Sequence, residues 1–348
     1  MASGPGGADR SDRVALVTVR AGAFEIEPEA DPSPGDGEVV IETIATGVCG
    51  SDIHLFLGDH PYARYPLVQG HEMVGRVAAL GRVVDAALQN AVVVVEPTVE
   101  CGSCPECLRG AYNRCENLEV LGVQRVGSLA GRFVARAAKL HRVPASDDPA
   151  VWALVEPAAV ACHAVARSAV RPGDVTVILG AGVIGLSIAL AVTQREPRLV
   201  IVVEPNEARR GRVEQLGLGT PVAPGELGAL LAQHQPAGAD VVFEATGVPR
   251  VLGDAHEVVR PGGQIMVVGQ SSGTFSLPMI VMTRKELCLL GTRNSAGQFP
   301  AAIELLQGAP SFVQAVITHR FDPRDAAAAF AELTAPHTQA LKVLLTSA

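Results

Sequence analysis

The sequence has few charged and few aromatic residues, and its charge balance is acidic rather than basic. Charged residues make up 18% and aromatic residues 4% of the 348 positions, 48% are hydrophobic, and the formal net charge is −8. A hydrophobic share this high, combined with a charged share this low, excludes a disordered chain. The acidic balance excludes nucleic acid as the main partner, because phosphate binding needs clustered lysine and arginine. A chain of this length predicts two domains.

The N-terminus lacks the basic start and apolar core of a signal peptide. Residues 1–13 (MASGPGGADRSDR) are small and polar, which predicts a loose tail on a cytoplasmic protein. One uncharged segment, from Val175 to Gln194, is long enough to cross a bilayer, but three glycines interrupt it. A β-branched run before the glycines and a Leu/Ala-rich run after them predict a buried strand, a turn and a buried helix. No membrane association is therefore expected.

Cysteine is scarce outside one short segment. Four of the seven cysteines lie at Cys101, Cys104, Cys107 and Cys115, with the spacing C-x2-C-x2-C-x7-C. In a reducing cytoplasm disulfides are rare, and such clusters more often hold metal. Four thiolates complete the coordination of a structural zinc ion and leave no position open for a substrate. The alternatives are an iron–sulfur cluster and a pair of disulfides.

A second set of candidate metal ligands lies upstream, in the segments GVCGSDIHLFLGDH and VQGHEMVGRV. Cys49, His71 and Glu72 offer sulfur, imidazole and carboxylate, a set that zinc accepts while keeping one position open. Each residue also has an ordinary interpretation, since cysteine is often a small buried hydrophobe and Gly-His-Glu an unremarkable turn. Their combination with the cysteine loop favours a catalytic metal site.

A dinucleotide-binding motif lies in the middle of the chain. The segment VTVILGAGVIG contains G-x-G-x-x-G at Gly180, Gly182 and Gly185, between a β-branched run and an apolar helix that begins with Val183 and Ile184. The first glycine makes the turn, the second lets a pyrophosphate approach the backbone, and the third permits close helix–strand packing. The helix N-terminus then faces the phosphates. Further strand and helix patterns downstream predict a parallel sheet of βαβ units.

The choice of cofactor depends on the end of the next predicted strand. Glu204 lies 19 residues after Gly185 (204 minus 185), about where a carboxylate accepts the adenosine-ribose hydroxyls. A carboxylate there would repel the extra phosphate of NADP, so the sequence predicts NAD, although Arg209 nearby could accommodate that phosphate. The segment KELCLLGTRN predicts the last strand, with Thr292 and Arg293 near the nicotinamide. Arg293 could equally be a surface residue.

Five motifs in order carry a family resemblance. GVCGSDIH, GHEMVGRV, the four-cysteine loop, LVEPAAVACHAV and VILGAGVIGLSIA follow one another as in zinc-dependent medium-chain alcohol dehydrogenases, which this chain resembles over nearly its whole length after the tail. The Glu-Pro of LVEPAAV resembles the polyol, sorbitol and threonine dehydrogenase branch, because the simple-alcohol branch has a cysteine there.

The resemblance implies an architecture. It is an α/β fold in which a Rossmann doubly wound parallel sheet is inserted in a GroES-like, mostly β catalytic domain with a structural zinc lobe near residues 97–118. The implied domains are catalytic over 1–156, NAD-binding over 157–295 and catalytic again over 296–348. Two zinc ions per chain, one catalytic and one structural, and a homodimer or homotetramer are also implied. In relatives a basic residue near Arg209 often lies along the adenine ribose even with NAD.

The resemblance also assigns the metal ligands. Cys49, His71 and Glu72 are implied to bind the catalytic zinc. Glu156 would be a further ligand or would hold a water at the metal, and the sequence leaves open whether Glu72 or Glu156 ligates the zinc at rest. Cys162 is a rival ligand that is also explained as a core cysteine.

Ser51 and His54, which both follow Cys49, are implied to move protons. At Ser51 and His54 the resemblance places a relay that runs from the substrate oxygen through the serine hydroxyl and the cofactor ribose to the histidine. The alternative is that Ser-Asp caps a helix and that His54 is a surface histidine.

The predicted function is NAD- and zinc-dependent oxidation of a secondary hydroxyl of a polyol, sugar or aminocyclitol (aminoglycoside-type) substrate to a ketone. Zinc would act as a Lewis acid and the nicotinamide would take the hydride. An acidic protein suits a cationic substrate, which favours an aminocyclitol of antibiotic biosynthesis.

The segment GVQRVGSLAGRFVARAAKLHRVP departs from the family pattern near the substrate side, so the sequence does not identify the substrate. One alternative is a dehydrogenase of simple or aryl alcohols, which the low aromatic content disfavours. The other is a non-catalytic NAD- and zinc-binding module, which the intact ligand set disfavours.

Overall fold

The computed structural model describes residues 14–28, 31–335 and 338–346. The predicted tail, residues 1–13, lies outside these described residues. Within them the chain forms a seven-stranded mostly antiparallel sheet, a six-stranded parallel sheet and two two-stranded ribbons. The predicted fold class, a Rossmann-like parallel sheet with a separate mostly β part, is confirmed.

The first half of the chain builds most of the antiparallel sheet. In chain order the strands of this half are β1 (Val14–Arg20), β2 (Ala23–Pro28), β3 (Glu38–Val48), β4 (Glu72–Leu80), β5 (Val92–Val95), β6 (Thr98–Val99), β7 (Glu119–Val120), β8 (Arg132–Arg136) and β9 (Leu140–Arg142), and its helices are α1 (Gly50–Leu57) and α2 (Pro105–Leu108). Strands β3, β4, β5, β8 and β9 belong to the antiparallel sheet, whereas β1 pairs with β2 and β6 with β7 as ribbons. Strand β3 is central, since it pairs with β4 and with β8. The short ribbon of β6 and β7 closes the base of the segment that carries the four clustered cysteines.

The parallel sheet follows. Its strands are β10 (Val175–Leu179), β11 (Leu199–Val203), β12 (Thr220–Val222), β13 (Ala239–Glu244), β14 (Val259–Val267) and β15 (Cys288–Gly291), and the helices of this region are α3 (Val155–Arg167), α4 (Val183–Thr193), α5 (Glu207–Gln215), α6 (Leu227–His234), α7 (Pro249–Val258) and α8 (Met279–Lys285). The strand order is β12-β11-β10-β13-β14-β15. The order reverses between β10 and β13, and ligands of such sheets bind at that point beyond the carboxyl ends of the strands. The apolar segment 175–194 is a strand, a turn and a helix, as predicted.

The end of the chain returns to the antiparallel sheet. Its elements are α9 (Phe299–Gln307), α10 (Pro310–Val316), β16 (Ile317–Phe321), α11 (Ala326–Thr334) and β17 (Lys342–Thr346). Strand β17 pairs antiparallel with β3 and parallel with β16. The chain thus leaves the first sheet, builds the second and comes back, while the boundaries at 156/157 and 295/296 remain a prediction.

Helix α3 lies at the junction of the two sheets. It packs against α4 and α9, and one hydrophobic core contains Ala45 and Val74 of the first sheet together with Ile178 and Val241 of the second. The helical stretch Pro149–Arg167 is the one stretch in the described part of the chain that is long and apolar enough to cross a membrane, and 72% of its apolar window is buried inside the protein. Such burial is typical of a core helix.

Candidate active site

The predicted catalytic ligands converge at one end of the β3–β4 pair. Ligand atoms of Cys49, His71 and Glu72 all lie within 4.8 Å of one another. Cys49 follows β3 and caps the start of α1, while His71 and Glu72 stand at the start of β4. Gly47 lies opposite Glu72 in the sheet, and a Cβ there would come within 2.2 Å of Glu72 Oε2. A glycine is therefore required for the Glu72 carboxylate to reach the cluster.

Asp52 orients two of these ligands. Its Oδ2 accepts a hydrogen bond from the Cys49 N–H at 2.9 Å, and its Oδ1 lies 3.4 Å from His71 Nδ1. This arrangement leaves His71 Nε2 facing the cluster, 3.4 Å from Ser51 Oγ. A carboxylate behind a ligating histidine is the usual support of a zinc site. The sequence interpretation missed Asp52, because its position three residues after Cys49 indicated only a helix cap.

The electrostatics of the cluster fit a cation. Burial disfavours a charged His71, but the Asp52 carboxylate and Cys49 outweigh it and hold the pKa of His71 well above its ordinary value. The negative groups around His71 thus favour positive charge on its ring. Thiolate, imidazole and carboxylate are also the donors that zinc prefers. The residues present therefore fit a zinc ion.

Lys342 is a second residue that the sequence interpretation missed. Its Nζ lies 2.7 and 2.5 Å from the two carboxylate oxygens of Glu72 and donates to the Val48 carbonyl at 3.0 Å. The two side chains are almost fully buried, with 3% and 1% exposure. Burial opposes the charge of Lys342, but Glu72 raises its pKa. A signal was present in the sequence, since Lys342 is one of three lysines and lies in the apolar run ALKVLL.

Glu156 stands in the first turn of α3, beside the cluster but not among its three mutually close donors. Burial raises the pKa of Glu156 to about 7; His71 opposes this rise and Glu72 adds to it. Glu156 is thus close enough to both to interact electrostatically. Cys162, also on α3, is not in the cluster, and burial raises the pKa of its thiol to about 11.

The two residues of the predicted relay lie in different surroundings on α1. Ser51 is at the donor cluster, beside His71. His54 lies one turn further along, with its Nδ1 2.9 Å from Asp59 Oδ1 and both side chains 59% exposed. His54 hydrogen-bonds Asp59 rather than Ser51, so a relay between them would need a third group. Their roles stay predictions.

The clustered cysteines form a compact lobe, here called the cysteine lobe and defined as residues 98–120. The sulfur atoms of its four cysteines, Cys101, Cys104, Cys107 and Cys115, lie within 4.8 Å of one another, and all four are free thiols. Backbone N–H groups of Ser103 and Cys104 lower the pKa of Cys101 to about 6. Convergent sulfurs with a readily formed thiolate suit a tetrahedral metal.

Replacing Cys104 by serine should prevent the cysteine lobe from holding its zinc ion. Metal binding to a structural site contributes directly to folding, so we expect the zinc content to fall by about one ion per chain and the melting temperature by about 5–10 °C. Atomic emission and thermal unfolding measure both. The exposed Cys288, outside the lobe, provides the control, and Cys288→Ser should change neither. Full zinc content and an unchanged melting temperature in Cys104→Ser would contradict the assignment.

The glycine motif forms a strand–turn–helix as predicted. Gly180 has φ of +103°, a conformation that favours glycine, and a Cβ on Gly185 would come within 1.9 Å of the Gly180 carbonyl oxygen. Apart from its chain neighbours, no residue in the described part of the chain has a heavy atom within 4 Å of a Cβ built on Gly182, which caps α4. The first N–H groups of α4, from Val183 and Ile184 onward, have no acceptor within the helix. This open helix N-terminus is suited to bind phosphate groups.

Glu204 and Arg209 lie at the same edge of the parallel sheet. Glu204 follows β11, and its carboxylate accepts hydrogen bonds from the Ala181 N–H at 2.8 Å and the Asn206 N–H at 3.0 Å. It is therefore held beside the glycine turn. Arg209 on α5 has its Nη2 3.5 Å from the Ala340 carbonyl, and its buried Nε has no hydrogen-bond partner in the described part of the chain.

Thr292 and Arg293 follow β15 directly. The Thr292 N–H donates to the Val267 carbonyl at 3.1 Å, and the Thr292 hydroxyl oxygen is buried without a partner among residues 14–28, 31–335 and 338–346. The Arg293 side chain is exposed. Because all six strands are parallel, these residues share the carboxyl edge with the glycine turn.

Family models of dehydrogenases match both the first and the second half of the chain. The family model "Alcohol dehydrogenase GroES-like domain" matches residues 35–145, and the model "Zinc-binding dehydrogenase" matches residues 180–308. The chain is 33% identical to the L-galactonate-5-dehydrogenase of Escherichia coli K12 over 295 residues, covering 83% of this chain and 86% of the relative. It is 31% identical to a sorbitol dehydrogenase of Halalkalibacterium halodurans over 343 residues, covering 95% and 98%.

A solved structure agrees with the fold over nearly the whole chain. The alcohol dehydrogenase RspB of Escherichia coli CFT073, crystallised with NADH, superimposes with a TM-score of 0.89 at 28% identity, covering 96% of this chain and 99% of the other. The cofactor in that crystal is a nicotinamide dinucleotide, the class of ligand that the glycine motif predicts.

Proposed function

Because this chain belongs to the zinc-dependent medium-chain alcohol dehydrogenase family, in its polyol dehydrogenase branch, we propose that it oxidises a secondary hydroxyl group of a polyol or sugar-type substrate to a ketone with NAD. The observation that carries the proposal is the meeting of Cys49, His71 and Glu72 within 4.8 Å of one another. They stand in a chain whose parallel sheet carries an open dinucleotide turn.

The chain's own residues have separate tasks in this reaction. A zinc ion, when bound by Cys49 and His71 with Glu72 or Glu156, supplies the Lewis acidity that lowers the pKa of a substrate hydroxyl. Ser51, whose Oγ lies beside His71, would relay the hydroxyl proton: it accepts the substrate proton as its own hydroxyl proton leaves for the third group that must connect it to His54. His54 would then release a proton to solvent, while Asp52 fixes the His71 ring and Lys342 holds Glu72.

The substrate class rests on the family branch and on charge. The named relatives act on galactonate and sorbitol, which are polyhydroxylated compounds. A cationic aminocyclitol or aminoglycoside is the second candidate, supported by the net charge of −8 and by the exposed Asp59 next to His54. A place in antibiotic biosynthesis would follow only from that second candidate.

The experiment that tests this function measures NADH formation by zinc-loaded protein. The panel contains polyols, sugar acids, sugar phosphates, aminocyclitols, aminoglycosides and simple alcohols. We expect turnover confined to one polyhydroxylated class. Turnover of simple or aryl alcohols alone would contradict the polyol proposal. Silence across the panel, from protein that binds zinc and NADH, would favour the non-catalytic module.

Glu204 should decide between NAD and NADP. Its carboxylate, fixed by two backbone N–H groups, stands where the phosphate of NADP would bring like charge, so we expect kcat/KM to favour NAD by roughly 100-fold. Glu204→Ser should reduce this preference to below about 10-fold, chiefly by raising the KM for NAD. The exposed Glu207 on α5 is the matched control. Equal use of both cofactors by the unmodified enzyme would contradict the assignment.

We also propose that the protein is a homodimer or homotetramer, as the family resemblance implies. Strand β15 is an edge strand of the parallel sheet, and the segment before it exposes Phe275, Met279 and Ile280. Exposed apolar side chains next to an open strand edge favour association. Light scattering gives the mass in solution. The cytoplasmic location and the absence of a nucleic-acid or membrane partner remain proposals.

A further inference from the structure

The loop that leaves the parallel sheet, residues 292–298, has an unusual backbone. Asn294, Ala296 and Gly297 have φ values of 53°, 40° and 78°, all in the left-handed region. That region is unfavourable for most residues other than glycine and asparagine, so Ala296 is the unusual residue of the three. Such a conformation persists only where surrounding contacts fix it.

Two contacts that fix this loop come from the cysteine lobe. Asn113 donates a hydrogen bond from Nδ2 to the Arg293 carbonyl at 3.0 Å, across 180 residues of sequence. The Tyr112 hydroxyl approaches the loop at Gly297, where its oxygen would lie 3.7 Å from a Cβ built on that glycine. Both side chains belong to the single turn Tyr112–Arg114, between the third and fourth cysteines. The lobe therefore hydrogen-bonds the loop at its beginning and lies against it near its end.

Tyr112 is itself held in place. The Lys139 ammonium group lies 3.9 Å from the centre of its ring, a favourable cation–π distance. Burial and the Glu96 carboxylate raise the pKa of Tyr112, so its hydroxyl keeps its proton. At the far end of the loop, the buried Phe299 ring stacks on His141, with 5.1 Å between ring centres. The loop is thus clamped between the lobe and the antiparallel sheet.

The beginning of this loop is part of the proposed cofactor site. Thr292 lies at the carboxyl edge of the parallel sheet, and its buried hydroxyl has no partner within the described ranges. We propose that Asn113 and Tyr112 are positioning residues for the cofactor. The cysteine lobe, through them, sets the conformation of the 292–298 loop and thereby the affinity for the nicotinamide half of the dinucleotide. This inference rests on the proposed function, because it takes the NAD site as given.

The test compares two ligands on the zinc-loaded full-length protein. NADH reaches the nicotinamide end of the site, whereas ADP-ribose lacks the nicotinamide. Binding of each is measured by calorimetry for the unmodified chain, Asn113→Ala and Tyr112→Phe, with zinc content determined for every sample. Arg114→Ala is the matched control, because Arg114 stands in the same turn but pairs with Glu106 at the surface.

We expect Asn113→Ala to weaken NADH binding by about 5- to 10-fold, the change that loss of one hydrogen bond gives. Tyr112→Phe should act in the same direction. ADP-ribose binding should stay within about 2-fold, Arg114→Ala should behave as the unmodified chain, and every sample should hold the same zinc. Equal weakening of both ligands would show a general structural defect and overturn the inference, as would unchanged NADH binding.

A second measurement separates this inference from the proposed function. Hydrogen exchange of the 292–298 amides in cofactor-free protein should be at least about 10-fold faster in Asn113→Ala than in Arg114→Ala, because the anchored loop opens more readily. Equal exchange would overturn the anchoring even if NADH binds. Failure of the unmodified chain to bind NADH, with normal exchange differences, would instead overturn the cofactor site while leaving the anchor.

Discussion

Replacing Lys342 by methionine should lower the free energy of unfolding by about 3–5 kcal/mol, the usual result of leaving one partner of a buried ion pair without the other. The Lys342 ammonium group bridges both oxygens of Glu72 and the Val48 carbonyl. With methionine at this position the Glu72 carboxylate would remain buried without its cation. Its only favourable responses are to take up a proton or to bind the metal more firmly. Urea unfolding of the variant and of the unmodified chain, both without metal so that no zinc ion replaces the lysine as the cation beside Glu72, measures the loss.

Two further variants separate the charge of Lys342 from its packing. Lys342→Arg keeps the charge and should recover most of the lost stability. Combining Lys342→Met with Glu72→Gln removes both charges, so the double variant should be more stable than Lys342→Met alone, with a coupling free energy of about 1–3 kcal/mol. If Lys342→Met unfolds at the same urea concentration as the unmodified chain, the pair does not contribute to stability.

Replacing His71 by alanine should have the largest effect on catalysis. It removes one of the two ligands, Cys49 and His71, that the proposal assigns to zinc without an alternative. We expect zinc content to fall from two ions per chain to one and kcat/KM to fall by at least about 1,000-fold. That loss exceeds the 10- to 100-fold typical for a residue behind the ligands. Asp52→Asn, which alters only the support of His71, should give the smaller loss and retain zinc.

Cys162→Ser is the control that excludes the rival ligand. Cys162 lies outside the donor cluster, so this variant should keep both zinc ions and the activity of the unmodified chain. Loss of one zinc ion from Cys162→Ser, or full zinc content in His71→Ala, would contradict the ligand assignment. Atomic emission and steady-state kinetics on the same samples provide both measurements.

The features that the sequence predicted have causes close together in the chain. The strand, turn and helix of the apolar segment 175–194 were predictable because β-branched residues, glycines and a Leu/Ala run follow one another. The convergence of the four sulfurs in the cysteine lobe was predictable because the cysteines lie within fifteen positions, which short-range turns bring together. The motifs around Cys49, His71 and Gly180 occur in an order that made the family recognisable. Fold class, family and the broad reaction were therefore determined by the sequence.

Only the tertiary structure decided which side chains support the predicted ones. Asp52 had the ordinary appearance of a helix cap, and its contact with His71 depends on where α1 meets the start of β4. Lys342 lies 270 residues from Glu72, and Asn113 lies 180 residues from Arg293. No local pattern predicts such partners, because each contact exists only after β17 has paired with β3 or the lobe has docked on the loop beyond β15. Local sequence determines an element, whereas a buried charge or an unfavourable backbone is stabilised by whatever residue folding brings beside it.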